Sequence, residues 1–321
     1  MTLCFNGNDF KYEMENVARL FFPLRRFSYI YGGELPEKDF LAFIRREVSE
    51  GGELEVRIQD ENFAETAISF VKQGPQYENR CEMEFARMLY RLLQKDTGIT
   101  PKWGVLTGIR PVKRLQIDME SGKSRQEAMA EMTEGCLVSE EKAHLAMQIC
   151  EIQKEILADS KPNDFSLYVS IPYCPSRCSY CSFVSHSIDH PKAKKLLPDY
   201  LDSLVKEIDF TSKIYRELGL RLRSVYIGGG TPTVLTAEQL RQVTDAVRTY
   251  FDPSPELEYT IEAGRADTIT AEKLQVIKDA GANRISINPQ TFEDSVLQAV
   301  GRRHTANQVV ECYGLARTFG F

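Results

Sequence analysis

The chain has 321 residues and a formal net charge of −6, with 42% hydrophobic and 27% charged residues. This length allows two domains, and the composition is ordinary for a globular protein. The net charge is negative and the sequence has no run of basic residues, so it shows no positively charged patch of the kind that binds nucleic acid or an anionic membrane surface. We therefore expect a small-molecule substrate. No apolar run approaches the length of a membrane span, and the N-terminus lacks a secretory pattern, which together predict a cytoplasmic protein.

Residues 1–160 are predicted to form a small N-terminal α+β domain. The stretch Glu53–Gln59 alternates polar and apolar residues, which is the period of a half-buried strand. Apolar residues then recur at helical spacing from Phe85 to Leu92. The region therefore begins with strand patterns and becomes helical.

A further helix is predicted to begin after Ser139 and to run to about Leu157, since a serine followed by two acidic residues is typical of an N-cap. Cys150 is expected to be a core residue of this helix. Four apolar residues accompany it there: Leu145, Ile149, Ile152 and Ile156. Lys161, followed by Pro, Asn and Asp, ends the helical pattern and indicates a domain boundary.

The segment from Trp103 to Lys113 holds the only tryptophan and two cations, Arg110 and Lys113, beside a glycine and a proline. One interpretation is a site for an anionic group. The favoured interpretation is a turn in which Gly108 takes unusual backbone angles and Pro111 begins a helix, with the cations solvated. Basic residues near turns are common on protein surfaces.

Residues 161–321 alternate between short β-rich runs and helical segments, which predicts a parallel sheet built from βα units. The runs are Leu167–Ile171, Ser224–Ile227, Leu257–Ile261 and Arg284–Ile287. Helix start signals occur at Pro198, at Thr236 with Gln239, and at Thr270, and stop signals occur at Gly219 and Gly281.

The loop after the first of these strands holds three of the eight cysteines, Cys174, Cys178 and Cys181. A [4Fe–4S] cube takes four thiolates, so a compact set of three leaves one iron open to a small molecule. We interpret the loop as the ligand set of such a cluster. The alternative is a structural zinc site with His186 or His190 as fourth ligand, which the spacing disfavours because zinc sites are usually built from two Cys-x-x-Cys halves.

A glycine-rich turn and a carboxylate follow the next two strands. Gly228-Gly-Gly230 precedes Thr231-Pro-Thr233, and the glycines permit close approach of the backbone to a ligand. Glu262 follows the third strand. In parallel βα architectures the chemistry gathers at the carboxyl ends of the strands, so we expect the cysteine loop, the glycines and Glu262 to meet at one edge.

The motifs from residue 174 onward resemble those of the radical S-adenosylmethionine superfamily. They are, in order, Cys-x-x-x-Cys-x-Tyr-Cys, Gly-Gly-Gly-Thr-Pro-Thr, Ile-Glu-Ala, Asn-Arg-Ile-Ser-x-x-x-Gln and Gly-Arg-Arg-His. Within that superfamily they most resemble the oxygen-independent coproporphyrinogen III oxidases, also called coproporphyrinogen dehydrogenases, and the Trp103 segment resembles the HemZ-type branch. The resemblance covers about residues 100–321 and implies an α/β fold with a (β/α) barrel of parallel strands at residues 161–321.

The resemblance implies roles for individual residues. Cys174, Cys178 and Cys181 would hold a [4Fe–4S] cluster whose open iron chelates S-adenosylmethionine. The other implied cofactor contacts are Tyr168, Tyr180, Gly229, Gly230, Thr231 and Glu262, with Gln290 and Arg302 matching positions for a second S-adenosylmethionine. The implied chemistry is cleavage to a 5′-deoxyadenosyl radical and oxidative decarboxylation of coproporphyrinogen III to protoporphyrinogen IX, with electrons from a donor such as flavodoxin or ferredoxin.

The sequence departs from the family pattern at two places. Phe183 stands where the best-known dehydrogenases have an additional cysteine, and Asn288-Pro289 precedes Gln290 where the family usually has a glycine. A sibling branch without the extra cysteine binds or delivers haem, so haem carriage is the alternative function. The last residue, Phe321, falls where a fifth strand is expected to start, which predicts a chain truncated within the barrel.

Overall fold

The computed structural model describes residues 1–108, 110–183, 185–251, 253–254 and 257–321. Contacts between residues divide the chain into two units, Met1–Asp159 and Ser160–Phe321, each with its own hydrophobic core. Within the described residues, no helix combines the length and the apolar character that a membrane span requires.

The first unit is built on a five-stranded mixed sheet. Its elements are β1 (Thr2–Asn6), α1 (Lys11–Phe21), β2 (Ser28–Tyr31), β3 (Phe40–Val48), β4 (Gly51–Gln59), β5 (Ala64–Lys72), α2 (Tyr77–Thr97), α3 (Pro111–Glu120), α4 (Arg125–Ala130) and α5 (Glu140–Leu157). The strand order is β2-β1-β3-β4-β5, with β1 parallel to both neighbours and β3, β4 and β5 pairing antiparallel. This mixture of strands and helices agrees with the predicted class.

The strand and the helix predicted early in the chain are both present, as β4 and α2. Leu54 and Val56 of β4 are buried, and because β4 is an inner strand the intervening Glu55 is buried as well. Arg46 and Arg57 form ion pairs with the Glu55 carboxylate, which offset the cost of burying its charge. The apolar residues of α2 pack against the same sheet in a single core.

α5 begins after Ser139, as predicted, and the Ser139 hydroxyl accepts a hydrogen bond from the Lys142 amide. Cys150 is buried, which confirms its core position. The four apolar residues that accompany it are exposed: Leu145, Ile149, Ile152 and Ile156. Their spacing places them on one side of the helix, whereas Cys150 shares the buried side with small residues and a methionine. Helical periodicity alone could not separate these two faces.

The second unit contains the parallel sheet that the sequence predicted. Its elements are β6 (Asp164–Ile171), β7 (Tyr173–Cys174), β8 (His186–Ser187), α6 (Pro191–Glu217), β9 (Arg221–Gly229), α7 (Ala237–Phe251), β10 (Glu258–Glu262), α8 (Ala271–Asp279), β11 (Arg284–Ser286), α9 (Asp294–Ala299) and α10 (Ala306–Thr318). β6, β9, β10 and β11 lie side by side in chain order and all run parallel, while β7 pairs with β8.

The two faces of the four-stranded sheet differ in polarity. Alternate residues, such as Leu167, Val225 and Ile261, are buried against the apolar sides of α6, α7 and α8. The opposite face is mostly polar: it carries Ser166, Tyr168, Ser224, Tyr226, Thr260 and Glu262. The carboxyl ends of the strands coincide, since Ile171 pairs with Gly229 and Glu262 pairs with Ser286.

The predicted start of a helix near Pro198 is wrong, because α6 begins at Pro191 and contains Pro198 in its interior. Pro191 occupies the first turn, where a missing N–H costs no hydrogen bond. Leu197 and Leu201, on either side of Pro198, are buried in the core and hold the helix in place across the proline. Tertiary packing therefore outweighs the disruptive effect of a proline in the helix interior.

The other predicted helix boundaries are confirmed. Thr236 and Gln239 exchange side-chain and backbone hydrogen bonds in a capping box before α7. The Thr270 hydroxyl accepts a hydrogen bond at the start of α8. Gly219 and Gly281 take positive φ angles of 60° and 84° just after α6 and α8.

The segment from Trp103 to Lys113 forms a turn that leads into α3. Gly108 has a φ of 67°, and Pro111 is the first residue of the helix. Arg110 and Lys113 are exposed, in agreement with the favoured interpretation of a turn with solvated cations. Ile109 is outside the described residues.

Candidate cluster and cofactor site

The three cysteines of the predicted cluster motif lie in one loop that follows β6. Cys174 ends the short strand β7, and the Cys181 amide donates to the Cys178 carbonyl at 3.1 Å, which closes a turn. All three thiols are free and half-buried. The Ser176 hydroxyl donates to the Gly301 carbonyl at 2.8 Å, so the loop is attached to a second segment more than a hundred residues away in sequence.

The glycine turn after β9 lies directly against the strand that carries Cys174. The Gly230 amide donates to the Ile171 carbonyl at 2.9 Å, and the Thr231 amide donates to the Tyr173 carbonyl at 2.8 Å. The Thr231 hydroxyl donates to the Cys174 Sγ at 3.4 Å. A Cβ on Gly230 would approach the Tyr173 carbonyl oxygen to 2.6 Å and the Cys174 Sγ to 3.0 Å. Only a glycine at position 230 therefore allows the turn to lie this close to the strand that carries Cys174.

Glu262, at the end of β10, is held by a tyrosine that was not among the predicted site residues. The Tyr226 hydroxyl donates to Glu262 Oε1 at 2.5 Å. The Tyr226 ring stacks on Tyr168 of β6, with ring centroids 5.7 Å apart and ring planes 9° apart. Burial, and then the bond to Glu262, raises the pKa of Tyr226 to about 12. The phenol stays protonated at neutral pH and keeps donating to the carboxylate.

Arg302 is buried between the loops that follow β10 and β11. Its Nη1 donates to the Asn288 carbonyl at 2.8 Å and to the Gly264 carbonyl at 3.3 Å, and its Nε donates to the Tyr180 hydroxyl at 3.2 Å. Burial is the largest cause of a raised pKa of Tyr180. Gln290 is exposed and has a φ of 66°, a left-handed conformation that is uncommon for a residue with a side chain.

These groups surround one cavity of about 160 Å³. Ten of the predicted site residues line it: Cys174, Cys178, Tyr180, Cys181, Gly229, Gly230, Thr231, Glu262, Gln290 and Arg302. The remaining one, Tyr168, does not line the cavity; its ring stacks on Tyr226, which donates to Glu262. The cavity lies at the edge of the sheet where these residues were expected to meet.

Three residues of this region were not predicted from the sequence: Tyr226, Gly264 and Arg265. Tyr226 had a usable signal, because it precedes Gly228 by two positions on one strand and so shares a sheet face with it. Gly264 and Arg265 follow Glu262 in a loop, where no periodicity applies. Their positions at the cavity depend on which loops the fold brings together.

The donor set fits an iron–sulfur cluster. Three free thiols line one cavity, and an iron–sulfur cube would bind each thiolate through a different iron. Within the described residues, no three His, Cys, Asp or Glu side chains are close enough together to hold a single metal ion. His186 and His190, the alternative zinc ligands, are both exposed.

The comparison with known families gives the class of this unit. Residues 168–321 match the model of the radical SAM superfamily. Together with the parallel sheet and the three-cysteine loop, this match shows that the second unit is a radical S-adenosylmethionine domain. The cofactors of such a domain are a [4Fe–4S] cluster and S-adenosylmethionine.

Two curated relatives show which branches of the superfamily the chain is similar to. The chain is 34% identical over 317 residues to the oxygen-independent coproporphyrinogen-III oxidase-like protein HemZ of Bacillus subtilis, covering 96% of this chain and 62% of HemZ. It is 38% identical over 157 residues to the heme chaperone HemW of the same organism, covering 49% of this chain and 40% of HemW. The chain thus spans less than two thirds of the length of these curated relatives.

Among solved structures, coproporphyrinogen III oxidase (HemN) from Escherichia coli is similar with a TM-score of 0.45 and 27% identity, covering 54% of this chain and 38% of that one.

Proposed function

We propose that the protein is a radical S-adenosylmethionine enzyme whose cluster is held by Cys174, Cys178 and Cys181. The observation that carries the proposal is the convergence of these thiols with the glycine turn and the Glu262 carboxylate on one cavity. Three thiolates leave one iron of a [4Fe–4S] cube free for the amino and carboxylate groups of S-adenosylmethionine. When bound and reduced, the cluster and this cofactor supply a radical that abstracts hydrogen.

The surrounding residues would orient the cofactor. The amides of Gly230 and Thr231 already bond to the cysteine strand, so the turn offers carbonyl oxygens to the amino group of the methionine part. Glu262 would accept hydrogen bonds from the ribose hydroxyls, with Tyr226 fixing the direction of its carboxylate. The turn offers neutral carbonyl oxygens and Glu262 offers a charged carboxylate, so the two can distinguish the methionine part of the cofactor from its ribose.

A second S-adenosylmethionine is proposed beside Arg302 and Gln290. Among the described contacts, Arg302 uses Nε and Nη1 on protein acceptors, so Nη2 is the nitrogen that would meet a carboxylate. The left-handed backbone conformation of Gln290 makes a turn in the loop that follows β11, and this turn lies at the wall of the cavity.

The proposed reaction is oxidative decarboxylation of coproporphyrinogen III to protoporphyrinogen IX, in which S-adenosylmethionine would be the oxidant and flavodoxin or ferredoxin would supply the electron that starts its cleavage. Its support is the order of motifs and the similarity to a coproporphyrinogen-III oxidase-like protein along 96% of this chain. Abstraction of hydrogen from a propionate side chain by a radical requires a site that excludes water. The three thiols that would hold the cluster are half-buried.

The test is anaerobic reconstitution with iron and sulfide, followed by reduction in the presence of S-adenosylmethionine. We expect a brown chromophore and formation of 5′-deoxyadenosine. Coproporphyrinogen III should raise the yield of 5′-deoxyadenosine and release carbon dioxide. The matched control is Cys178→Ala, which removes one thiolate and should form no 5′-deoxyadenosine. Binding of zinc with no chromophore would overturn the proposal.

Haem carriage is the second candidate, and one observation favours it. Phe183 stands where the family pattern has a further cysteine, lines the cavity and is 62% exposed, which suits an apolar ligand such as a haem ring. The similarity to a heme chaperone adds support. Stoichiometric haem binding that Phe183→Ala weakens, with no 5′-deoxyadenosine formed under reduction, would replace the enzyme proposal with this one.

A further inference from the structure

Arg265 is a buried arginine that lies against the cysteine loop. It is 2% exposed and follows β10 at the wall of the cavity. Its Nη2 donates to the Ser176 hydroxyl at 3.0 Å, and its Nη1 donates to the Ser176 carbonyl at 3.4 Å. The same Nη1 lies 3.7 Å from the Cys178 Sγ. One guanidinium therefore contacts both the backbone of the loop and one of its thiols.

Burial of this cation is costly unless an anion compensates it. The described partner is Asp267, whose carboxylate oxygens lie 3.3 Å from Arg265 Nε and 3.4 Å from Nη2. The Asp267 side chain is 19% exposed and that of Arg265 only 3%, so water screens the anion more than the cation. The positive charge therefore acts on the cysteine loop with incomplete compensation from Asp267.

The neighbouring histidine does not change this balance. His304 is buried, and its Nδ1 lies 3.5 Å from Asp267 Oδ1. Burial lowers the pKa of His304, which keeps the imidazole neutral at neutral pH. Arg265 is thus the charged group of the β10 loop that contacts Cys178, and Asp267 is the anion paired with it.

We propose that Arg265 is a positioning residue that holds the cysteine loop and raises the reduction potential of the cluster. This inference rests on the proposed function, since it assumes that Cys178 ligates the cluster. A cation and its N–H donor beside a ligating sulfur stabilise the additional negative charge of the reduced cluster. Asp267 has the opposite electrostatic effect, because its negative charge disfavours reduction.

The experiment compares the reconstituted full chain with Arg265→Gln, Arg265→Lys and Asp267→Asn. Iron content is measured first, and the midpoint potential is then measured by redox titration followed by electron paramagnetic resonance, without S-adenosylmethionine. Arg265→Gln should make reduction at least about tenfold less favourable, a downward shift of about 59 mV for one electron. Arg265→Lys keeps the charge and should stay closer to the wild-type potential. Asp267→Asn should shift the potential upward.

The matched control is Arg241→Gln, which removes the same charge from a surface ion pair with Asp279. Its potential should equal that of the wild type. If Arg265 only holds the loop, iron content falls in Arg265→Gln while Asp267→Asn keeps the wild-type potential, and the electrostatic inference is overturned. An unchanged potential in a fully loaded Arg265→Gln overturns it as well. A wild-type protein that holds no cluster contradicts the proposed function instead, so the two failures are distinguishable.

Discussion

Three thiols in one loop have chemical surroundings that differ from those of the other cysteines. Cys174, Cys178 and Cys181 line the cavity, whereas Cys312 lies on α10 and donates to the Ala266 carbonyl at 3.3 Å. We predict that alanine at any of the first three positions abolishes a stable cluster, because each thiolate binds one iron. Iron and sulfide analysis after anaerobic reconstitution measures this. Cys312→Ala is the control and should keep its iron; equal iron content in all four variants would refute the ligand assignment.

Tyr226 is a second residue whose effect can be measured alone. Tyr226→Phe removes the hydroxyl that holds Glu262 but keeps the ring that stacks on Tyr168. A hydrogen bond to a charged group contributes about 1.5–3 kcal/mol, so we expect binding of S-adenosylmethionine to weaken by at least about tenfold with unchanged iron content. Equilibrium dialysis against the reconstituted protein measures the affinity. Tyr215→Phe, whose ring packs on Phe165, is the control, and an equal affinity loss there would contradict the assigned role.

At the scale of elements, the glycine turn after β9 is bound by backbone hydrogen bonds to the segment that carries Cys174. In Gly230→Ala the new Cβ would lie 2.6 Å from the Tyr173 carbonyl oxygen, which must displace either the turn or the strand that carries Cys174. We predict a lower iron content as well as weaker cofactor binding. Gly264→Ala is a matched control at the same cavity, since its new methyl group would meet no atom within 4 Å beyond the adjoining residues. Full iron loading in Gly230→Ala would show that the turn can move freely.

α6 contains an unfavourable residue whose replacement should stabilise the protein. Pro198 is exposed in the helix interior, where a proline costs about 3 kcal/mol relative to alanine because it removes a backbone hydrogen bond. The restriction that proline places on the unfolded chain offsets roughly 0.4–1 kcal/mol of this cost. We therefore expect Pro198→Ala to raise the free energy of unfolding by about 2–2.6 kcal/mol in urea titrations. Pro191→Ala, in the first turn, should change it little; a larger gain there would contradict the explanation.

For the whole molecule, the division into two units predicts where a protease cuts first. Residues 158–163 are exposed and lie between α5 and β6, outside both hydrophobic cores. We predict that a protease of broad specificity such as subtilisin cleaves here first, since cleavage requires a segment that opens at little cost. Mass spectrometry should find fragments that correspond to Met1–Asp159 and Ser160–Phe321. Early cleavage inside either sheet at the same rate would argue against two separately stable units.

The features that the sequence alone determined are those set by contacts over a few residues. The capping box of Thr236 and Gln239 and the stop at Gly219 depend on the chain immediately around them. The alternating pattern of Glu53–Gln59 likewise predicted β4, because side chains on a strand alternate between its faces. The cysteine spacing predicted one loop with three thiols, and the order of strands predicted the edge at which that loop meets the glycines and Glu262.

Only the tertiary structure decided which distant groups act on one another. Tyr226 reaches Glu262 across two neighbouring strands, and Arg265 reaches Ser176 over 89 positions in sequence. No local period encodes such pairs, because they depend on strand register and on which loops end at the same edge. Packing also decided that α6 continues through Pro198, since burial of the surrounding leucines outweighs a local signal worth about 3 kcal/mol. The sequence therefore determined the chemical groups of the site, and the fold determined their partners.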